Sequence, residues 1–341
     1  MNIDLGGLET IEAERGIPVE NMVETIAGAL LHAYRDMREE EASVGAGRRR
    51  EEGERARVEI DTETGEVSVK VRAGGEDGGE PHEFDDTPVN FSRLGSRVVR
   101  EAILRKLREQ ETGVVFEEYR DLERTVVSGV VQRDSKANQR GIQVVELGTE
   151  HDSQDAILLP AEQIPGEKLS HGDRIKAYVV SVGRGDRRVQ INVSRTHPEL
   201  IRGLFELEVP EIAEGTVEIL GIAREAGHRS KVAVAARAKG LNAKGACIGP
   251  RGQRVRSIMD ELGGEKLDII DYSDDPATFV ANALAPAKVV RAEVVDAENR
   301  EARAIVPDYQ LSLAIGREGQ NARLAARLTG WKIDIHSDAE Q

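Results

Sequence analysis

Two short stretches of the 341-residue sequence have residue types and spacing suited to binding chemistry. Ile248-Gly249-Pro250-Arg251-Gly252-Gln253 is echoed 67 residues later by Ile315-Gly316-Arg317-Glu318-Gly319-Gln320. Glycines at both ends of a four-residue turn remove two side chains, so the loop backbone can lie against a sugar-phosphate chain. Where a helix follows, its first N–H groups and the positive end of its dipole face the phosphates. A lone G-x-x-G marks any helix–turn–helix corner. Here the match continues: Arg256 aligns with Arg323, Gly263 with Gly330 and Lys266 with Lys332. After a one-residue gap at Gly264, Leu267-Asp268-Ile269 aligns with Ile333-Asp334-Ile335. Residues of about 200–336 therefore hold two tandem copies of one unit.

The elements needed to position these loops repeat as well. Each copy reads as a helix (Pro198 to Leu207; Asp275 to Leu284), then two strands. The strands are Val217 to Ala223 with Lys231 to Ala236, and Val289 to Val295 with Ala302 to Val306. A short helix, the glycine turn and a second helix follow, and then a last strand, Lys266 to Ile270 or Lys332 to His336. That order is a type II KH module, whose G-x-x-G loop clamps about four nucleotides of a single strand. The expected RNA-binding residues of the first copy are Lys244, Gly249, Pro250, Arg251, Gly252, Gln253, Arg254 and Arg256. Those of the second are Gly316, Arg317, Glu318, Gly319, Gln320, Asn321 and Arg323. From Arg224 to Arg256 there are nine basic residues and one acid, Glu225, a net of +8; from Arg300 to Lys332 the net is +3. The basic run coincides with the first clamp, which favours phosphate contact over a merely solvated face. Glu318 inside the second loop predicts a weaker phosphate grip there, with more reliance on the backbone, Gln320 and Asn321.

Other chemistries find little support. Gly240-Leu241-Asn242-Ala243-Lys244-Gly245 begins like a phosphate-binding P-loop, but Ala246-Cys247 stand where Lys-Ser/Thr is required. Gly183-Arg184-Gly185 lacks the third glycine of a dinucleotide loop. The seven histidines show no metal spacing, and Cys247, the single cysteine, sits in an apolar stretch and reads as a core residue. No catalytic residue, metal site or cofactor is expected. One cysteine excludes an intrachain disulfide. No secretory leader or membrane span is recognisable, so a soluble cytoplasmic protein is expected; a monomer is expected as well.

Upstream of the repeat, residues 122–196 hold five short strands, at 126–131, 142–147, 156–159, 175–180 and 189–193. They fit a Greek-key barrel of the OB type, or another small five-stranded barrel. Residues 1–121 read as α+β. Met22, Val23, Ile26, Leu30 and Tyr34 predict an amphipathic helix over Val19 to Glu40, broken at Ser43 to Gly47. Arg57 to Asp61 and Glu66 to Val71 alternate around a Thr64-Gly65 turn, a hairpin. Gly74 to Gly79 is a loop. Leu94, Val98, Ala102 and Leu107 mark a second long helix running toward Tyr119 as a stiff connector. Arg48-Arg49-Arg50 reads as a solvated loop.

Net charge is −15 and aromatics are 3%. Read as an average, such acidity disfavours a nucleic-acid binder. The charge is uneven: residues 1–121 carry −12, residues 122–196 carry +1 and residues 197–341 carry −4. The acid-rich part suits a protein partner, and the basic clamp suits RNA.

The order of acidic α+β domain, barrel and two KH modules resembles the bacterial NusA family of transcription elongation, termination and antitermination factors. The matching motifs are Ser194-Arg195-Thr196-His197-Pro198, Glu208-Val209-Pro210-Glu211-Ile212, Ala223-Arg224-Glu225, Gly245-Ala246-Cys247-Ile248-Gly249, and Leu311 through Ile335 with Leu328-Thr329-Gly330-Trp331. The resemblance implies a division into 1–121, an RNA-polymerase-binding domain; 122–196, an OB barrel of the ribosomal S-one type; 197–272 and 273–336, the KH modules; and a short tail, 337–341. It implies RNA polymerase core, nascent single-stranded RNA and other Nus factors as partners, and no enzymatic activity. An OB/KH subunit of an RNA-processing or ribosome-associated assembly is the alternative. The sequence ends at Gln341, so the acidic C-terminal repeats of some members are not expected. Tyr178 is the single aromatic residue of the barrel, which puts base stacking there in doubt.

Overall fold

The computed structural model describes residues 1–43, 55–73, 82–89, 91–148, 153–185 and 188–340. It divides into two units, Met1–Glu117 with Asp186–Arg188, and Glu118–Gly185 with Val189–Gln341.

In the first unit, Asp4 caps α1 (Leu5–Arg15) by accepting from the Gly7 N–H at 3.1 Å, and Gly16 ends it at φ +67°. Leu8 of α1 is buried, with Leu5 and Ile11 half-buried in the same core, and Gly6-Gly7 in its first turn weaken the helical signal in the sequence. The stripe of α2 (Val19–Ser43) is the expected one: Met22, Ile26, Leu30 and Tyr34 are buried. They pack on β2 (Val67–Ala73), which pairs antiparallel with β1 (Arg55–Ile60) and with β3 (His82–Asp85). Alternation is strict in β2, where Val67, Val69, Val71 and Ala73 are all buried. The hairpin turn needs glycine: Gly65 has φ +72°, and a Cβ there would lie 2.2 Å from the Ile3 carbonyl oxygen. The helix α3 (Phe91–Arg120) is unbroken for 30 residues. The Arg48–Arg50 run and the Gly74–Gly79 loop lie outside the described residues.

The second unit begins with the barrel. Its strands are β4 (Val126–Gln132), β5 (Gln143–Leu147), β6 (Gln154–Leu158), β7 (Arg174–Arg184) and β8 (Val189–Ser194), with a one-turn helix α4 (Ser135–Asn138) after β4. They close in the order β4-β5-β6-β8-β7, with β6 and β8 parallel and the other pairs antiparallel. That is the Greek-key closure of an OB fold. Gly129 permits it, since a Cβ there would sit 2.8 Å from the Glu146 carbonyl oxygen.

The first KH module consists of α5 (Pro198–Glu208), α6 (Pro210–Ala213), β9 (Val217–Glu225), β10 (Arg229–Ala236), α7 (Ala243–Ile248), α8 (Gln253–Glu261) and β11 (Lys266–Asp271). The second consists of α9 (Pro276–Ala283), β12 (Arg291–Asp296), β13 (Glu301–Val306), α10 (Leu311–Ile315), α11 (Gln320–Thr329) and β14 (Lys332–Ser337). Both sheets have the same order, with the middle strand antiparallel to the first and parallel to the last.

Shared cores join these parts. Ile164 and Tyr178 of the barrel pack in one cluster with Leu200, Ile201, Leu204 and Phe205 of α5 and with Val232 and Val234 of β10. Ala233 and Ile270, on the outer face of the first KH sheet, pack with Phe279, Ala283, Leu284 and Ala325 of the second module.

Buried ions reinforce the same seams. Arg195, 1% exposed, follows β8 and pairs with Glu167 of a barrel loop and with Glu261 of α8 at 2.9 Å. It also donates to the carbonyl oxygens of Lys176, at 2.6 Å, and Glu261, at 2.7 Å. Burial opposes its charge, but the two glutamates outweigh that and hold its pKa above the ordinary guanidinium value. The Arg224–Glu265 pair, at 2.9 Å, is also buried, and Glu265 accepts from the Ser230 hydroxyl and the Gly227 N–H. Lys231 is fully buried; its Nζ donates to Asp268 at 3.0 Å and to the Ala285 carbonyl of the second module at 2.7 Å. Desolvation lowers the Lys231 pKa. Burial also works against the Asp268 carboxylate, yet Arg229 and Lys231 hold its pKa below the usual range.

Among the described residues no helix is long and apolar enough to cross a membrane, and no cluster of His, Cys, Asp and Glu could hold a metal ion.

Removing one partner from a buried ion network leaves the others charged and dry. Arg195→Met should therefore destabilise the second unit by about 3–5 kcal/mol in urea unfolding. A loss below about 1 kcal/mol, the size of an exposed pair, would show that the network is not a structural strut.

Candidate nucleic-acid interface

The two clamp loops are the same object twice. Gly249 has φ/ψ of +73°/174° and Gly316 has +78°/170°. Arg251 and Glu318, the third residues, are both left-handed at φ +54°. Gly252 and Gly319 follow at φ +72°. Two successive left-handed residues reverse the chain and start α8 or α11, and neither helix has a side-chain cap at its N-terminus. The first-turn N–H groups are thus left to solvent or to an anion.

The two glycines of each loop serve different purposes. A Cβ at Gly249 would meet the Arg254 side chain at 2.6 Å, and one at Gly316 would meet Asn321 at 2.8 Å. The first glycine therefore lets the loop pack against the helix five residues on. A Cβ at Gly252 or Gly319 would have nothing within 4 Å. The second glycine supplies the left-handed turn and an open outer surface.

The expected binding residues divide into exposed groups and internal braces. Pro250, Arg251, Gln253 and Arg256 are exposed and Lys244 is half-buried. Arg254 is braced: its guanidinium donates to Glu211 at 2.8 Å and to the Ala246 carbonyl at 2.7 Å. Asn321 occupies the equivalent place in the second module and is buried, donating to the carbonyls of Leu284 and Ala314, both at 2.9 Å. Arg317 and Glu318 are exposed and lie 3.7 Å apart. Gln320 donates to Glu225 of the first module at 2.9 Å, and Arg323 pairs with the same carboxylate at 2.7 Å. Arg323 chiefly, with Gln320 and Arg327, holds the Glu225 carboxyl below the ordinary glutamate range despite partial burial.

The net charge of the Arg224–Arg256 window shrinks in three dimensions. Arg224, Arg229, Lys231, Arg237 and Arg254 are all paired with acids outside the window: Glu265, Asp268, Glu218 and Glu211. Among the described residues, Lys239, Lys244, Arg251 and Arg256 have no acidic partner, and the last three lie on the clamp loop or on the two helices that flank it. Phosphate attraction is thus concentrated on that loop.

Cys247 is fully buried, and burial pushes its thiol up to about 11. Tyr178 of the barrel is buried too, stacked on His197 with ring centroids 4.4 Å apart, and cannot serve as a base platform in this arrangement. Sequence reasoning missed Glu225 as the acceptor joining the modules, and the exposure of Tyr309, 83%, seven residues before Gly316. The scarcity of aromatics was a usable signal for Tyr309. No local pattern marks the role of Glu225, because its partners lie in the next module.

Comparison with known proteins agrees with this layout. Residues 195–272 match the family described as NusA-like first KH domain, residues 276–341 the NusA-like second KH domain, and residues 5–73 the NusA N-terminal domain. The transcription termination/antitermination protein NusA of Mycobacterium tuberculosis (strain H37Rv) is 55% identical over 339 residues, covering 99% of this chain and 94% of its own length. Those of Bacillus subtilis and Thermus thermophilus are 42% and 39% identical, covering 98% and 96% of this chain and 91% and 88% of their own.

The asymmetry between the glycines is testable. Gly249→Ala adds a clash to a left-handed backbone and should destabilise the second unit by about 2–4 kcal/mol. Gly252→Ala meets open space and should cost only the conformational strain, about 1 kcal/mol. Thermal unfolding of the two variants reads the difference, and equal losses would refute the assignment.

Proposed function

The chain belongs to the NusA family of transcription termination/antitermination proteins, and from that premise we propose that it acts without catalysis, holding nascent RNA beside the transcribing polymerase. Residues 1–121 dock on RNA polymerase core. The barrel, 122–196, and the KH modules, 197–272 and 273–336, engage the emerging single strand, and other Nus factors join the assembly. Pausing, intrinsic termination and antitermination are modulated through that tether, in the cytoplasm.

The observation that carries this reading is the pair of clamps with matching dihedrals, uncapped helix ends and open second glycines. Lys244, Arg251 and Arg256, the three cations at the first loop that have no acidic partner among the described residues, add the electrostatic attraction that single-stranded nucleic acid requires. Acidity concentrated in residues 1–121 suits a protein surface rather than RNA. Tethering makes modest RNA affinity sufficient, because the effective concentration of a strand emerging beside the bound factor is on the order of millimolar.

A pull-down against RNA polymerase core, with the full chain and with residues 1–121 removed, tests the docking half. Capture should be lost on truncation, and undiminished capture would reassign the contact. Gly252→Asp with Gly319→Asp places a carboxylate at both clamps and should weaken RNA binding by about tenfold or more. Unchanged affinity of this double variant would refute the clamp assignment.

A further inference from the structure

The two clamps share a backbone but not a chemistry. Superposed by their repeat, the three cations of the first clamp have no free counterparts in the second. Lys244 corresponds to Leu311, Arg251 to Glu318, and Arg256 to Arg323, which is already paired with Glu225 at 2.7 Å. Arg317, which stands where the first loop has Pro250, is exposed but lies 3.7 Å from Glu318, so the second clamp carries less attraction for phosphate.

It carries apolar surface instead. A single 3₁₀ turn, Asp308–Gln310, runs directly into α10 (Leu311–Ile315), whose C-cap is the first clamp glycine, Gly316. The outer face of this segment presents Tyr309, 83% exposed, and Leu313, 46% exposed. The corresponding residues of the first module are Asn242 and Ala246. Asn242 is turned into the helix cap, accepting from the Gly245 N–H at 2.9 Å, and the face offers no ring or long aliphatic chain. The exposed ring thus occurs in the module whose cations are replaced or engaged. Few other aromatics are available: the chain is 3% aromatic, and the barrel's Tyr178 is buried against His197.

We infer that the modules divide the work of holding RNA, the first gripping the phosphate backbone and the second stacking an unpaired base on Tyr309 with Leu313 beside it. This rests on the clamp reading of the previous section and adds a base contact to it. The occupant is a base of the strand already held at Gly316–Gly319, because the apolar face is continuous with that loop. An aromatic platform tolerates any base, so the stacked base adds affinity with little sequence preference.

The test measures affinity of the full chain for a short single-stranded RNA across a salt series, and for an abasic strand of equal length. Tyr309→Ala removes an exposed side chain and should leave the fold intact. It should weaken binding by about tenfold at every salt concentration with an unchanged salt slope. Tyr309→Phe keeps the ring and should bind like the parent. Arg251→Ala with Arg256→Ala should instead flatten the slope by roughly 0.7 for each phosphate no longer neutralised. On the abasic strand the parent and Tyr309→Ala should bind alike. A Tyr309→Ala chain within about twofold of the parent on normal RNA, or equally impaired on the abasic strand, overturns the stacking role. Failure of the clamp reading looks different: the parent would not bind RNA, or the double glycine-to-aspartate variant would bind it fully.

Discussion

Arg195 is the group on which the arrangement of the unit that carries the barrel and the KH modules depends. Its guanidinium is 1% exposed and meets two glutamates from different parts of the unit, one on a barrel loop and one on α8. The helix α8 begins at the first clamp, so a charge buried at the barrel seam also fixes where the clamp stands. A buried cation tolerates little displacement, because any shift leaves a charge without compensation in a dry interior. The shared core of Ile164, Tyr178, Leu200, Ile201, Leu204 and Phe205 supplies the attraction, and the ion network selects the geometry.

The same logic recurs at the seam between the KH modules. The outer face of the first sheet, with Ala233 and Ile270, is covered by the second module, and Lys231 reaches through it to the Ala285 carbonyl. At the rim, Glu225 gathers Gln320, Arg323 and Arg327 from the helix that follows the second clamp. Each clamp helix is thus held from behind by an ion pair to another element. Cations inside this unit are structural as often as they are attractive to RNA, which is why a basic window in the sequence overstates the basic surface.

Much of the fold was legible in the sequence. Period-four apolar residues mark α2, strict alternation marks β1 and β2, and the five barrel strands follow from short β-branched runs separated by turn residues. The repeat was legible because two loops must adopt the same left-handed turn, and only glycine at the same spacing meets that demand without strain. Helix α1 and strand β3 were not legible: the first is short and opens on Gly6-Gly7, and the second is four residues long with none fully buried. The candidate site was legible in part. Arg251, Gly252 and Arg256 stand at the exposed loop, while Arg254 and Asn321, equally polar in the sequence, are turned inward as braces.

By itself, then, the sequence determined the order of elements, the twofold repeat, the clamp turns and the uneven charge, because each is set by local conformational preference or by composition. Only the tertiary structure decided which cations face outward, since the acids that neutralise Arg224, Arg229, Lys231 and Arg254 lie far along the chain and are brought close by packing. It likewise decided that Tyr178 is buried and Tyr309 exposed. The net charge of −15 is a sum over residues, whereas recognition of a strand depends on which charges and rings remain at the surface once the cores have closed.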